Sequence, residues 1–282
     1  MKIINNILKA SCPLTLLVML ASCQKEGVVD RTSFAPDHKI NMPDEQVYDV
    51  VNTDHQVAYW SFNNNLKESV GDRTATISKM DYGVDRKGFK SSSFSGNGKD
   101  IWFTVPADDK LKSGSVTVSV WVKPQLNTSG TGFMVSLTQK DTWANGYTLF
   151  MDAAATNYRF KATDYHQMAA GGFGNNWFDK SGGYPESGWF HLVYMWDANT
   201  STQTIYVNGT EFNKSVASAS APNGPMIYSD GTANAELLYV GKNGGTDGWI
   251  SPFNGLMDDL RIYDVALTPT EVAQIYNNEK IK

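Results

Sequence analysis

Three tryptophans lie in polar segments whose composition suits sugar binding. They are Trp143 in Asp-Thr-Trp-Ala-Asn-Gly, Trp177 in Gly-Asn-Asn-Trp-Phe and Trp249 in Gly-Gly-Thr-Asp-Gly-Trp. An indole can stack on the apolar face of a sugar ring, while amides and carboxylates pair with the sugar hydroxyls. The pattern therefore predicts a carbohydrate site in loops, with simple coverage of the edge of the fold as the alternative. The candidate residues are Trp143, Trp177, Trp249, Tyr165, His166, Asn175, Tyr184 and Asp247.

One carboxylate falls on what should be an apolar strand face. Side chains alternate between two faces along Gly255–Tyr263, and one face then carries Leu256, Asp258, Leu260 and Ile262. An unpaired carboxylate costs several kcal/mol there, so Asp258 needs a cation, hydrogen-bond donors or a position at the sheet edge. Asp259 and Arg261 fall on the other face, where we expect an exposed ion pair that stabilises the fold little.

The elements that must position these residues are mostly strands. Short β-rich segments recur between clusters of glycine, asparagine, aspartate and serine, and in Val116–Lys123 four valines alternate with other residues. One helix is predicted near the end of the chain, where Thr268, Pro269 and Glu271 have the spacing of a capping box. The chain is therefore predicted to be all-β, a sandwich or jelly roll with one short C-terminal helix.

Charge and cysteine content exclude several classes of protein. The 282 residues include 24 basic and 29 acidic side chains, for a net charge of −5, without a block of lysine or arginine. No nucleic acid is therefore expected as a partner. Two cysteines are too few for a disulfide-rich scaffold or a cysteine-based zinc site.

The N-terminus has the features of a bacterial export signal. Lys2 and Lys9 form a basic start. The apolar run that follows, Leu14–Leu20, is far shorter than the ~20 residues of a membrane-spanning helix. The Leu-Ala-Ser-Cys sequence that ends at Cys23 resembles the lipobox of bacterial lipoproteins, which implies that Cys23 is acylated. An ordinary secretory signal is the alternative. The predicted organisation is a signal peptide at 1–22, a flexible tether at 23–54 and one domain at 55–282.

A series of motifs runs in order through the predicted domain. They are Ala58–Phe62, Ser93–Gly96, Asp100–Phe103, Val116–Pro124, Gly188–Leu192, Ile205–Gly209, Phe253–Tyr263 and Ala266–Glu271. In this order they resemble the laminin-G-like, concanavalin A-like jelly-roll family over nearly all of residues 55–279. The resemblance implies a concanavalin A-like jelly-roll β-sandwich, but it does not imply one function, because a fold hosts many.

The same resemblance implies a structural calcium ion as cofactor. In the family, an aspartate at the position of Asp258 often helps to bind Ca²⁺, together with carbonyls of the turn that contains Gly96 and an acid near the first strand. This chain has Asn63 where that acid is common, which lowers the charge of the site. Asp258, Gly96 and Asn63 are therefore the expected metal ligands, with the oxygen donors that Ca²⁺ prefers.

Catalysis is not expected. Glycoside hydrolases of the wider superfamily carry a Glu-x-Asp-x-x-Glu strand, which places carboxylates around the glycosidic bond. None of the eight glutamates of this chain is followed two positions later by aspartate. The chain also lacks a Gly-x-Ser-x-Gly nucleophile motif, a Gly-x₄-Gly-Lys phosphate loop and a His-x₃-His pair.

Together these features predict a lipid-anchored cell-envelope protein whose single non-catalytic jelly-roll module binds an oligo- or polysaccharide, in polysaccharide capture. Gln24 follows the cysteine in place of aspartate, which by resemblance implies the outer membrane and leaves open its periplasmic or cell-surface side. Two alternatives stay open. One is an adhesion or structural module that binds protein partners at the cell surface, and the other is an atypical glycan-degrading enzyme.

Replacing Cys23 by Ala is expected to release the protein from membranes or to block its processing, because acyl chains on this residue supply the anchor. Membrane fractionation and intact-mass measurement test this. Cys12→Ala is the matched control, since Cys12 leaves with the signal peptide and its loss should not change fractionation. An unmodified Cys23 in the mature protein would contradict the anchor.

Overall fold

The computed structural model describes residues 51–125, 130–143, 145–152, 157–168, 171–178, 188–216 and 223–281. The predicted signal peptide, Cys23, most of the predicted tether and Tyr184 lie outside these residues. Within the described ranges, no helix has the length and apolar character needed to cross a bilayer.

The described residues form sixteen strands and one α-helix, preceded by a 3-10 helix at Thr53–His55. The first eight strands are β1 Gln56–Trp60, β2 Thr76–Lys79, β3 Tyr82–Gly83, β4 Ser93–Asn97, β5 Trp102–Pro106, β6 Val116–Pro124, β7 Gly132–Thr138 and β8 Tyr147–Asp152. The others are β9 Arg159–Gln167, β10 Phe173–Phe178, β11 Phe190–Asp197, β12 Thr202–Val207, β13 Thr210–Val216, β14 Asn223–Met226, β15 Leu237–Val240 and β16 Asn254–Tyr263. The helix is α1 Pro269–Glu279.

The strands form two sheets in which the strand pairings are antiparallel. Sheet 1 has the order β13-β12-β11-β6-β16-β4-β3, and β1 pairs with the second half of β16. Sheet 2 has the order β10-β9-β8-β7-β15-β5-β2, and β14 pairs with β9. Neighbouring strands are often far apart in sequence, as in a jelly roll.

One apolar core lies between the two sheets. The four alternating valines of β6 are fully buried in it, together with Leu137 of β7 and Leu149 of β8. Alternation therefore sends one set of side chains from each sheet into the core. The predicted all-β jelly-roll sandwich with one C-terminal helix is confirmed.

Helix α1 covers part of the outer face of sheet 1. The Thr268 hydroxyl accepts a hydrogen bond from the Glu271 N–H at 3.3 Å, and the Glu271 carboxylate accepts one from the Thr268 N–H at 2.6 Å, which confirms the capping box. Val272 and Ile275 then pack on the sheet beside Tyr263. The cap fixes where the helix begins, and its apolar face holds it against the sheet.

A β-bulge in β16 exchanges the two faces of its first half. The register against β6 shifts between Asp258 and Arg261, and Asp259 has a left-handed φ of 46°. Met257 and Leu260 both lie in the core, although they are three residues apart. The prediction that Asp258 shares the face of Leu260 was wrong, because one added residue moves every preceding side chain to the opposite face.

Asp258 lies instead on the outer face of sheet 1, where a buried arginine neutralises it. Arg86 Nη1 is 2.5 Å from Asp258 Oδ2, and Arg86 Nη2 is 2.6 Å from Asp259 Oδ2. Arg261 Nη1 is 3.0 Å from Glu279 Oε1, at the end of α1. Each arginine side chain is only 3% exposed, so the prediction of an exposed Asp259–Arg261 ion pair was wrong. We call these five residues the Arg86 cluster.

Opposite charges keep Asp259 of the Arg86 cluster ionised despite its burial. Burial favours the neutral form of Asp259, but Arg86 and Arg261 outweigh this and hold the pKa of Asp259 below its ordinary value. The Arg86 guanidinium also lies 4.9 Å from the centre of the Trp121 ring, whose Nε1 donates to Glu279 Oε2 at 2.7 Å. Removing one partner from such a group leaves its counterpart buried and uncompensated.

Replacing Arg86 by Met is therefore expected to lower the free energy of unfolding by ~3–5 kcal/mol, because Asp258 and Asp259 would stay buried without their cation. Urea denaturation followed by tryptophan fluorescence measures this. Lys79→Met is the matched control, since the Lys79–Asp100 pair is exposed and should contribute little. Equal losses in the two variants would contradict a stabilising role for the Arg86 cluster.

A chelator control separates this ion pair from the expected calcium ion. Because Arg86 neutralises the charge of Asp258, chelation after incubation with Ca²⁺ is expected to leave the melting temperature unchanged. A ligand bound to the native state alone would raise that temperature by mass action. A fall on chelation that Asp258→Asn abolishes would restore calcium at this position.

Candidate functional site

The three tryptophans singled out in the sequence meet on one side of the sandwich. The ring centroids of Trp143 and Trp177 are 5.1 Å apart, and each lies 6.1–6.4 Å from that of Trp249. They come from the β7–β8 loop, from β10 and from the β15–β16 loop. We call them the tryptophan cluster. The prediction that Trp177 lies in a loop was wrong, because its segment belongs to β10, at one end of sheet 2.

Two buried phenylalanines form a floor under the cluster. Trp177 meets Phe150 edge-on, with centroids 6.2 Å apart, and Trp249 lies 5.8 Å from Phe133. Phe133 and Phe150 stack on each other at 4.9 Å from the neighbouring strands β7 and β8. The cluster therefore rests on the outer face of sheet 2.

Two of the three indole rings remain open to solvent. Trp177 is 49% exposed and Trp249 is 37% exposed, whereas Trp143 is half-buried. Adjacent exposed rings of this size form an apolar patch, and such patches mark binding surfaces.

Backbone contact between the two loops sets the position of the loop tryptophans. Asp141 pairs with Gly245 in a parallel bridge, and the Asp141 N–H donates to the Gly244 carbonyl at 2.9 Å. The Gly244 N–H donates to Thr138 Oγ1 at 3.2 Å, at the end of β7. A Cβ on Gly244 would lie 2.3 Å from the Gln139 carbonyl oxygen, so this close approach requires glycine.

A buried asparagine anchors the β15–β16 loop to the sheet. Asn243 Nδ2 lies 3.3 Å from Ser136 Oγ and 3.4 Å from Thr148 Oγ1, and Asn243 Oδ1 accepts from the Gly245 N–H at 2.7 Å. The Asn243 side chain is fully buried. On folding, the Asn243 amide therefore loses its hydrogen bonds to water and gains hydrogen bonds to side chains of β7 and β8.

Three further predicted residues lie near the tryptophan cluster, one each in β10, in the neighbouring strand β9 and in the β15–β16 loop. Asn175 precedes Trp177 by two residues on the same face of β10 and pairs with Tyr165 of β9. Tyr165 is half-buried and stacks on the exposed Phe173 at 6.0 Å. Asp247 is exposed in the β15–β16 loop. These side chains supply an amide, a phenol and a carboxylate on this side of sheet 2.

His166 does not belong to this surface. It lies in β9 and is fully buried, with Nε2 2.7 Å from Asp164 Oδ1. Asp164 Oδ2 accepts a hydrogen bond from the Tyr194 hydroxyl of the opposite sheet at 2.8 Å. The prediction that Tyr165 and His166 lie in a polar loop was wrong, and strand alternation turns Tyr165 outward and His166 inward. Tyr184 lies outside the described residues.

The residues predicted for calcium do not fit the ion. Among Asp258, Gly96 and Asn63 the single carboxylate is that of Asp258, and Arg86 neutralises it. Gly96 lies in β4, paired with Gly255. Across the described part of the chain, no three His, Cys, Asp or Glu side chains are grouped as metal ligands.

Sequence reasoning missed the residues that support the cluster. Phe150 could have been predicted from the alternation within Tyr147–Met151. Phe150 shares a strand face with Thr148, opposite to the face of the core residue Leu149. No local pattern marks Asn243, because its hydroxyl partners are 95 and 107 residues away in sequence.

Comparison with protein families gives one match. Residues 97–273 match the family model described as the concanavalin A-like lectin/glucanases superfamily. No curated protein matches the chain.

Several solved structures share the fold. Domain 4 of a GH43 extracellular arabinanase from Geobacillus stearothermophilus, in complex with arabinotriose, has a TM-score of 0.54 and 24% identity, covering 79% of this chain and 98% of that chain. The botulinum neurotoxin serotype D ligand binding domain, in complex with N-acetylneuraminic acid, has a TM-score of 0.54 and 12% identity, covering 80% and 51%. The binding domain of Paraclostridial Mosquitocidal Protein 1 has a TM-score of 0.54 and 15% identity, covering 79% and 52%. The match thus spans about half the length of the last two chains. At these identities the likeness shows the fold.

Replacing Asn243 by Ala is expected to lower the free energy of unfolding by ~1–3 kcal/mol, because buried polar groups lose their partner. It should also loosen the tryptophan cluster and increase acrylamide quenching of tryptophan fluorescence. Asn65→Ala is the matched control, since the Asn65 amide bonds the Asn63 carbonyl in an exposed turn. Unchanged quenching in the Asn243 variant would contradict the role of this anchor in placing the tryptophans.

Proposed function

The chain belongs to the concanavalin A-like lectin/glucanases superfamily, and we propose that its jelly-roll domain is a non-catalytic module that binds an oligo- or polysaccharide through the tryptophan cluster. Its role would be polysaccharide capture at the cell envelope, with a lipid on Cys23 as the anchor.

The observation that carries this proposal is the convergence of three tryptophans from separate segments, two of them exposed. Packing accounts for the half-buried Trp143 but not for Trp177 and Trp249, which keep 49% and 37% of their surface in solvent. A sugar ring stacked on an exposed indole would bury apolar area worth ~1–2 kcal/mol at about 25 cal/mol per Å². Immobilisation and hydroxyl desolvation offset part of this, so we expect micromolar to millimolar affinity.

Polar groups on the same side of the sandwich suit the rest of a sugar. Asn175 lies on the strand face of Trp177, and Asp247 precedes Trp249 in an exposed loop. An amide and a carboxylate can both pair with hydroxyls, which fixes the orientation of a ring whose face is on an indole.

The acids near the cluster favour binding over hydrolysis. In the described parts of the β7–β8 and β15–β16 loops, the acidic residues are Asp141 and Asp247, and both are exposed. A glycosidase needs one carboxyl group whose pKa is raised, which burial in an apolar pocket supplies. Exposed carboxylates lack that environment, so we propose no catalytic role for them.

Two structures that share the fold support sugar as the ligand class. The arabinanase domain holds arabinotriose, and the neurotoxin domain holds N-acetylneuraminic acid. Because these sugars differ, they support carbohydrate binding and do not identify the glycan bound by this chain.

The lipid anchor is proposed from the sequence. The lipobox resemblance around Cys23 supplies the attachment site, and a tether of about 30 residues after it could hold the domain tens of Å from the membrane. Gln24 favours the outer membrane, on its periplasmic or its cell-surface side.

A protein partner is the second candidate. Phe173 is 41% exposed on the same sheet, so Trp177, Trp249 and Phe173 together could also contact another protein. The experiment below distinguishes the two ligands.

Replacing Trp177 or Trp249 by Ala is expected to weaken glycan binding about tenfold, a loss of ~1.4 kcal/mol, with little change in melting temperature. The measurement is calorimetric titration of the soluble domain with a ligand identified on a glycan array. Trp189→Ala is the matched control, because Trp189 is half-buried next to Tyr276 of α1, away from sheet 2, and should leave affinity unchanged.

Trp121→Ala provides the comparison for stability. Trp121 is 4% exposed, and its truncation should cost roughly 3–5 kcal/mol of unfolding free energy. If Trp177→Ala and Trp249→Ala destabilise the domain equally, the exposed rings serve packing and the proposal fails. Binding to no glycan, with binding to a cell-surface protein that both variants abolish, would favour the adhesion alternative.

A further inference from the structure

We propose that the tryptophan cluster selects glycan chains whose consecutive sugar rings lie in planes inclined to one another, over flat chains whose rings share one plane. This inference rests on the proposed function and adds to it the class of polysaccharide. The orientations of the three rings carry it.

No two indoles of the cluster are parallel. The planes of Trp143 and Trp177 make an angle of 48°, those of Trp143 and Trp249 67°, and those of Trp177 and Trp249 47°. A sugar that stacks on an indole lies with its apolar face parallel to that ring. Two sugars stacked on two of these rings are therefore inclined to each other, whereas a flat ribbon can lie on only one ring.

The spacing of the exposed rings suits neighbouring sugars of one chain. The centroids of Trp177 and Trp249 are 6.4 Å apart, which is about the length of one sugar unit. Consecutive units, and not every second unit, would therefore meet the two rings. The angle that matters is therefore the one between the ring planes of adjacent sugars.

The tilt of the rings is held by packing beneath them. Trp177 meets Phe150 at 84°, and Trp249 is inclined by 53° to Phe133. The Trp249 carbonyl also accepts hydrogen bonds from the Thr131 N–H at 3.2 Å and the Thr131 hydroxyl at 2.8 Å. Turning either ring to make a flat platform would break its contact with the phenylalanine beneath it, so the site is preorganised for an inclined pair of sugars.

This geometry predicts a preference that can be measured. A chain that turns between units makes two stacking contacts where a flat chain makes one, and one such contact corresponds to about a tenfold change in affinity. A chain that turns should therefore lose affinity when either exposed tryptophan is removed.

The probes are oligosaccharides of one sugar in two linkages, so that chain shape is the main difference within a pair. We would compare β-1,4-linked glucose hexasaccharide, an extended flat ribbon, with its β-1,3-linked isomer, which turns from unit to unit. A glycan array supplies other ligands. Each oligosaccharide is titrated into the unsubstituted domain and into three variants, which are Trp177→Ala, Trp249→Ala and the control Trp189→Ala.

We expect the turning isomer to bind about tenfold more tightly than its flat partner, and each cluster variant to remove that advantage. For any other array ligand, we expect both variants to weaken binding. Two results would overturn the inference and leave the proposed function standing. One is equal or tighter binding of the flat isomer, and the other is an array ligand whose binding is weakened by only one of the two variants. Binding to no glycan at all would contradict the proposed function itself.

Discussion

A short contact between two loops on the outer face of sheet 2 is the interaction on which the candidate site depends. The Asp141 N–H donates to the Gly244 carbonyl, and Asn243 fastens the same loop to hydroxyls of Ser136 and Thr148. A buried amide is stable only where such partners exist, so the loop lies where the strands present them. The β7–β8 and β15–β16 loops thereby bring two tryptophans to the third, on β10, and the stacked phenylalanines of β7 and β8 hold the rings at fixed angles.

The outer faces of the two sheets are covered in different ways, and the difference bears on function. On sheet 1, α1 and the Arg86 cluster cover outward-facing side chains of the central strands β6, β11 and β16, including Trp121 at 4% exposure. On sheet 2, the described parts of the β7–β8 and β15–β16 loops lie on the outer face beside β10, and Trp177 of β10 and Trp249 stay open to solvent. Burial of charge by ion pairing thus stabilises the sheet 1 side, whereas incomplete burial of aromatic area leaves the sheet 2 side available to a ligand.

Much of the fold follows from local patterns, and the site follows from them only in part. Alternation in β6 and the capping box of α1 are local features, and both predictions are confirmed. The polar surroundings of the three tryptophans marked the right residues, but not that Trp177 stands on a strand. The face of Asp258 could not be predicted, because the bulge at Asp259 and the partner Arg86, 172 residues away, have no signal in the local pattern. His166 was assigned to the surface because composition alone does not separate a polar strand such as β9 from a loop.

The most direct measurement of ligand contact at the cluster is an NMR titration that follows each indole N–H signal of the domain as the array-identified oligosaccharide is added. Saturable shifts confined to the signals of the tryptophan cluster, largest for Trp177 and Trp249, are the predicted result, since these two rings are exposed. The signals of the buried Trp121 and Trp196 should stay in place. Shifts centred on Trp189, or unchanged cluster signals while binding is observed by calorimetry, would contradict a sugar-binding role for the tryptophan cluster.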